Sequence, residues 1–314
     1  MSLGLGTIGD MAKVVLVAGA SGFVGSHLVR ELDGAGYEVR AMTRRPEVHD
    51  GPGHAVAGDI SDPSSLDAAL KGADAAYYLV HSLESADFRD RDADGARAFA
   101  SAASLAQLER IIYLGGLGAD SDALSPHLRS RREVEGILAE GDVPVTVLRA
   151  AVVIGHGGIS WEITRQLVDH LPALVTPRWV NTRTQPIALP DVVRYLVGVL
   201  EPEQAKGRVY EIGGPEILSY LDMLERAAAI RKKPLPNLTV PLLTPRLSSA
   251  WLALVTDVNF AAARNLVDSM TTEVVVHDDA ILDLVPGERI GYDDAVRLAL
   301  ADRAAQHGSH RPKA

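Results

Sequence analysis

There is no cysteine in the 314 residues, which removes disulfides, thiolate metal ligands and a cysteine nucleophile from consideration. Basic charge is scarce: 31 Lys and Arg face 41 Asp and Glu, a net charge of -10. That balance opposes nucleic acid and anionic membrane as partners. No apolar run approaches the roughly 20 residues of a spanning helix, and Met1 to Asp10 has neither the basic region nor the apolar core of a secretory signal. Cytoplasm is the expected compartment, with residues 1–11 a flexible arm and Met11 an alternative start. HExxH, CxxC, Walker and Gly-x-Ser-x-Gly patterns are missing, so no metal is expected, and metallohydrolase, NTPase and serine hydrolase chemistry have no footing.

What is present begins with Val14-Val15-Leu16-Val17-Ala18, a run suited to a strand covered on both faces. Gly19-Ala20-Ser21-Gly22-Phe23-Val24-Gly25 follows at once, and Leu28, Val29 and Leu32 then fall at helical spacing. In a dinucleotide site one such glycine makes the tight turn, one admits the pyrophosphate and one lets helix and sheet pack closely. The free amides at the helix start meet the phosphate charge. Gly19, Ser21, Gly22, Phe23, Val24 and Gly25 are therefore cofactor-binding candidates. Strand-like and helical stretches alternate down the chain without internal repeats, which predicts an α/β fold: a Rossmann-type doubly wound parallel sheet with a smaller C-terminal substrate-binding part. The boundaries suggested are a core of the nucleotide domain over 12–155, a remainder over 156–302 that completes the sheet, and a loose tail over 303–314.

The second strand, Tyr37 to Thr43, ends in Arg44-Arg45 where an NAD-preferring site carries an acidic residue. Guanidinium groups there fit the 2′-phosphate of NADP(H), so NADP(H) is preferred with NAD(H) as the alternative. His54 to Ala57 reads as a third strand, and Asp59 and Ile60 beyond it either frame the adenine or serve their own turn. Asp62 or Ser61 caps a helix starting at Pro63. Val80, His81 and Ser82 leave the fourth strand at its carboxyl end, where ligands lie in such sheets. After Ile111 to Leu114 the chain is broken by Gly115-Gly116-Leu117-Gly118, which either accepts a flat ring against bare backbone or only turns. Ser125 caps a helix in which His127 and Arg131, four apart, share a face. Ser130 lies near the same face, while Glu133 and Glu135 read as part of a solvated charge lattice.

These residues together resemble the extended and atypical short-chain dehydrogenases/reductases. GASGFVG matches the Gly-x-x-Gly-x-x-Gly turn, Gly58-Asp59 the adenine-side motif, and Val209 to Pro215 the late strand and turn. YLGGLG (113–118), SPHLRSRREVE (125–135) and LVTPRWVNTRTQPIALPDV (174–192) are similar to the bacterial NmrA-like NAD(P)H-binding proteins, which often carry an extra C-terminal domain not seen here. The likeness extends over about residues 12 to 300. It implies the fold far more specifically than the reaction. Typical members use a Ser after the fifth strand and a Tyr four residues before a Lys; here those places hold Gly115 and Gly116, His127 and Arg131. The usual proton relay does not carry over.

The catalytic candidates are thus His127 and His81 as proton-exchanging imidazoles and Arg131, which stays charged and either orients ribose hydroxyls or stabilises an oxyanion. In the later half Ser160 is a candidate cap for a helix carrying Trp161 and Ile163. Trp161, Trp179 and Gln185 are candidate substrate contacts, and Asp191 reads as the cap of a helix over 192–200. Leu235 to Val255, with Arg246 its only charge, is core, a lid or a partner-facing surface. The expected function is an NADP(H)-binding oxidoreductase acting on a bulky apolar carbonyl or enone-type small molecule. A non-catalytic NADP(H) redox sensor is the alternative, and docking through Leu235 to Val255 on a membrane complex a third. By family analogy, helices near 88–108 and 126–140 would pair in a homodimer.

Overall fold

Val15, Leu16, Val17 and Ala18 are wholly buried, as expected of a strand with helices on both sides. They belong to β1 (Val14–Ala18), the centre of a computed structural model that describes residues 12–82, 87–118, 124–171, 173–176, 178–233, 235–239 and 268–309. With β2 (Glu38–Thr43), β3 (His54–Ala57), β4 (Ala75–Tyr78), β5 (Arg110–Gly116), β6 (Val145–Ala150) and β7 (Val209–Ile212) it forms a seven-stranded sheet. The order is β7-β6-β5-β4-β1-β2-β3 and every pairing is parallel. The reversal of winding at β1 opens a crevice at the carboxyl ends of β1 and β4, where doubly wound sheets bind ligands.

Helices α1 (Phe23–Gly34), α2 (Pro63–Leu70), α3 (Phe88–Leu105) and α4 (Pro126–Ala139) fill the crossovers. Asp62 caps α2 by accepting from the Ser64 amide at 3.1 Å, and Ser125 caps α4 by accepting from Leu128 at 3.2 Å, each with proline in the first turn. Helices α5 (Ile159–His170), α6 (Leu189–Gly198), α7 (Tyr220–Ile230), α8 (Ala280–Leu284) and α9 (Tyr292–Ser309) follow. Three apolar clusters result. One face of the sheet packs on α1, α6 and α8, the other on α2, α3 and α4, and a third cluster holds α5, α7 and α9 together away from the sheet. Each fully buried Leu, Val or Phe contributes about 1.5–3 kcal/mol to these clusters.

Several local expectations are corrected. Gly115 and Gly116 do not break β5 but extend it, paired with Arg149 and Ala150 of β6. Gly158 precedes α5, so Ser160 lies in its first turn and is not the cap. Helix α6 starts at Leu189 after Ala188, and Asp191 sits within its first turn and is not the cap. There its buried carboxylate accepts from the Ile290 amide at 2.8 Å and pairs with Arg194 at 3.1 Å, tying α6 to the start of α9. Helix α9 continues to Ser309, past the suggested start of a loose tail. Of Leu235 to Val255, only 235–239 is described: Asn237–Thr239 pairs with Leu174–Thr176, and the remainder, with Arg246, lies outside the described residues. Residues 1–11 and 310–314 lie outside them too.

Candidate functional site

The turn after β1 works through close contacts. Gly19 has φ +88, a left-handed conformation, and a Cβ there would stand 3.0 Å from the Leu79 carbonyl group. A Cβ on Gly25 would stand 2.1 Å from the Gly19 oxygen, so only glycine lets α1 sit this near the strand. The Gly22 amide donates to the Gly19 oxygen at 2.9 Å, closing the turn. Gly22 itself offers no side-chain cap, which leaves the first amides of α1 for an outside acceptor.

Beside this turn lies a cleft of about 270 Å³. Gly22, Phe23, Val24 and Gly25 form one side, and the ends of β4, β5 and β6 form the floor. Strand alternation selects among the residues leaving β4: Leu79 and His81 line the cleft, whereas Val80 turns to the core on the α3 side. His127, Leu128 and Arg131 of α4 supply a third side, and both glycines 115 and 116 lie on the floor. Val152, Val153, Ile159, Met270 and Val274 bring apolar side chains to the lining, with Ser160 and Ser269 beside them.

Arg131 is buried and heavily used. Its Nη2 donates to the Leu114 carbonyl, its guanidinium lies 5.0 Å from the Tyr113 ring centre, and Tyr113 Oη donates to the Arg131 carbonyl at 3.1 Å. Nη1 is buried with no partner among the described residues. The neighbouring Arg132 donates to the Gly118 carbonyl at 2.8 Å, so two successive guanidinium groups hold the end of β5. His127 is desolvated by the cleft walls and repelled by Arg131 and His81, which lower its pKa to about 3. His81 is exposed to the cleft, yet the surrounding walls and the Arg131 charge hold it down to about 4. Both imidazoles are uncharged at neutral pH. They can donate a hydrogen bond from a ring N–H but carry no acidic proton.

Residues 19–170 match the family described as NAD(P)H-binding. Those residues form an NAD(P)H-binding domain. The chain is 33% identical to the ceramide reductase of Caulobacter vibrioides over 52% of this chain and 54% of that protein, and so spans about half of that relative's length. It is 28% identical to the (4-alkanoyl-5-oxo-2,5-dihydrofuran-3-yl)methyl phosphate reductase of Streptomyces griseus over 71% of this chain and 75% of the relative. Among solved structures, the Citrobacter sp. triphenylmethane reductase complexed with NADP(H) superimposes with a TM-score of 0.74 at 17% identity, covering 91% of this chain and all of that one, a likeness of fold. No described helix is long and apolar enough to cross a membrane.

The features that a dinucleotide requires are met in this NAD(P)H-binding domain: glycines that no side chain can replace and uncapped helix amides, with the Arg131 side chain in the lining of the cleft beside them. Ser21 is exposed beside the turn, outside the lining of the cleft. Arg44 and Arg45 are exposed just past β2. Asp59 accepts from the Ser61 amide and hydroxyl at 2.9 and 2.7 Å, which lowers its pKa with further help from Arg44 and Arg91. That carboxylate thus serves its own turn while facing the Arg44 charge. Ile60 packs against the core, close to Gly95 of α3.

The three candidate substrate contacts fare differently. Trp161 is fully buried in the cluster of α5, α7 and α9 and does not line the cleft, so it is core, as apolar residues of amphipathic helices usually are. Gln185 is a clamp: its Nε2 donates to the Gly214 carbonyl at 2.7 Å and its Oε1 accepts from the Val276 amide at 2.9 Å. The Trp179 and Arg178 side chains lie outside the described residues. Glu135, expected in a solvated lattice, is buried and accepts both Arg149 Nε and Nη2, at 3.1 and 2.6 Å, whereas Glu133 meets Arg89 at the surface. Ser130 is buried and its hydroxyl has no partner among the described residues. Residues not singled out from sequence include Leu79, Leu128, Val152, Tyr220 and Met270, all of them in the cleft wall. Only Leu79 and Val152 carried a signal, as residues at the carboxyl ends of strands.

Proposed function

We propose that the chain is an NADP(H)-dependent reductase of a bulky apolar carbonyl or enone-type compound, working without the Ser-Tyr-Lys relay. The carrying observation is one cleft that joins the glycine turn to largely apolar walls, with His81, His127 and Arg131 close together in its lining. The dinucleotide would rest on Gly19, Gly22, Phe23, Val24 and Gly25, with Arg44 or Arg45 against the adenosine 2′-phosphate and Asp59 and Ile60 near the adenine. When bound, the nicotinamide supplies hydride. His127, uncharged, donates its ring N–H to the substrate oxygen, an electrophilic role that needs no imidazolium. Arg131 places the ribose or faces the developing charge, and solvent supplies the proton. Two reductases among the relatives support this class of activity.

The reading is tested by following NADPH absorbance across quinones, enones and aldehydes; turnover in at least one class is expected, and silence in all of them despite tight NADPH binding would overturn it. The replacement of Tyr and Lys by an uncharged His127 and Arg131 favours one second reading, a non-catalytic NADP(H) sensor. A sensor would change its affinity for a protein partner between NADP+ and NADPH, and a His127 substitution would leave that response intact. The cytoplasm and a homodimer through α3 and α4 belong to the same proposal; light scattering checks the dimer.

A further inference from the structure

The lining of the cleft divides sharply in chemistry. Leu117, Leu128, Val152, Ile159 and Met270 give apolar surface, while three nitrogen-bearing side chains, His81, His127 and Arg131, lie within electrostatic reach of one another. Arg131 brings a permanent charge to the lining of the cleft. No carboxylate lines the cleft among the described residues. Nearby acids are committed elsewhere: Asp92 of α3 accepts from the Ser82 amide at 2.8 Å, and Glu135 holds the Arg149 fork. Of these charges, it is Arg131 that reaches both imidazoles. These three side chains therefore offer one positive charge and uncharged N–H donors to a molecule that is otherwise in apolar surroundings.

We infer that this part of the cleft is an anion-accepting subsite, built for the oxygen of a planar apolar molecule whose enol or phenol is taken up as its anion. The inference deepens the reductase reading and, as regards the reaction, rests on it. It narrows the substrate to conjugated acceptors, enones or quinones, and sets aside saturated ketones. Reduction of an enone puts hydride from the reduced nicotinamide nucleotide on the β carbon and shifts the π electrons to oxygen as an enolate; water then returns a proton to carbon. A saturated ketone would instead give a localised, strongly basic alkoxide, which one guanidinium and uncharged N–H donors match less well than the delocalised charge of an enolate.

The test uses 4-nitrophenol, whose ionisation is read from its absorbance, on the protein without nucleotide. The subsite predicts that bound 4-nitrophenol ionises about tenfold more readily than in buffer, a fall of about one unit. Arg131→Gln should abolish the shift and Arg131→Lys should keep part of it, with circular dichroism showing all three proteins folded. No binding, an unchanged or raised ionisation of the bound phenol, or the same shift in Arg131→Gln would overturn the proposal. With NADPH present, quinones and conjugated enones should exceed saturated ketones in kcat/KM by about tenfold or more; parity would also overturn it. Absence of NADPH binding would sink the reductase reading alone, because the phenol measurement does not involve nucleotide.

Discussion

At the scale of single residues, charge decides most. Arg44 stands at the end of β2, close enough to Asp59 to help hold that carboxylate down. Arg44→Ala should weaken NADPH binding by about 1–3 kcal/mol and leave NADH binding nearly unchanged, measured by titration calorimetry. Equal losses for both nucleotides would mean that the arginine does not touch the 2′-phosphate. His127 makes a second prediction. Its folded pKa, about 3, lies below the ordinary value of 6.5, so between those limits the unfolded chain binds the extra proton. Stability therefore rises with pH across this window and is lost as pH falls from about 6.5 towards 3. The melting temperature of His127→Gln should drop less between pH 7 and pH 5 than that of the parent. His81 acts in the same direction, with solvent at the open cleft weakening its effect.

At the scale of elements, the turn between β1 and α1 has no tolerance. Gly25→Ala places a methyl group 2.1 Å from the Gly19 oxygen, so it should lower stability by about 1–3 kcal/mol and impair NADPH binding together, read by thermal melts and titration. Asp92 ties α3 to the exit of β4 through the Ser82 amide, beside His81. Asp92→Asn preserves an acceptor and should bind NADPH nearly as the parent does, whereas Asp92→Ala should raise the NADPH Kd at unchanged helical content. This level was also the most legible in sequence. The β-branched run before Gly19, the glycine spacing, and the caps Asp62 and Ser125 are local signals, and local backbone physics determines them. Gln185, Asp191 and Glu135 were misread because their partners, Val276, Ile290 and Arg149, are distant in sequence or on another element. Polar residues of this kind announce neither a clamp nor a buried ion pair until the third dimension is known. Gly115 and Gly116 looked like a break, but pairing with β6 overrides their weak strand preference.

At the scale of the whole molecule, two of the apolar clusters grip the sheet and the third lies beyond it. The cleft draws its floor from the sheet and further walls from Val152, Val153, Ile159, Tyr220, Met270 and Val274. The glycine turn was readable because it is one local stretch, whereas the rest of the cleft wall, proposed here to take substrate, is assembled from segments more than a hundred residues apart. The measurement that bears most directly on this account is calorimetric titration of the folded protein with NADPH and with NADH. It predicts saturable uptake of NADPH at one site per chain, tighter than NADH. Failure to take up either nucleotide would contradict it.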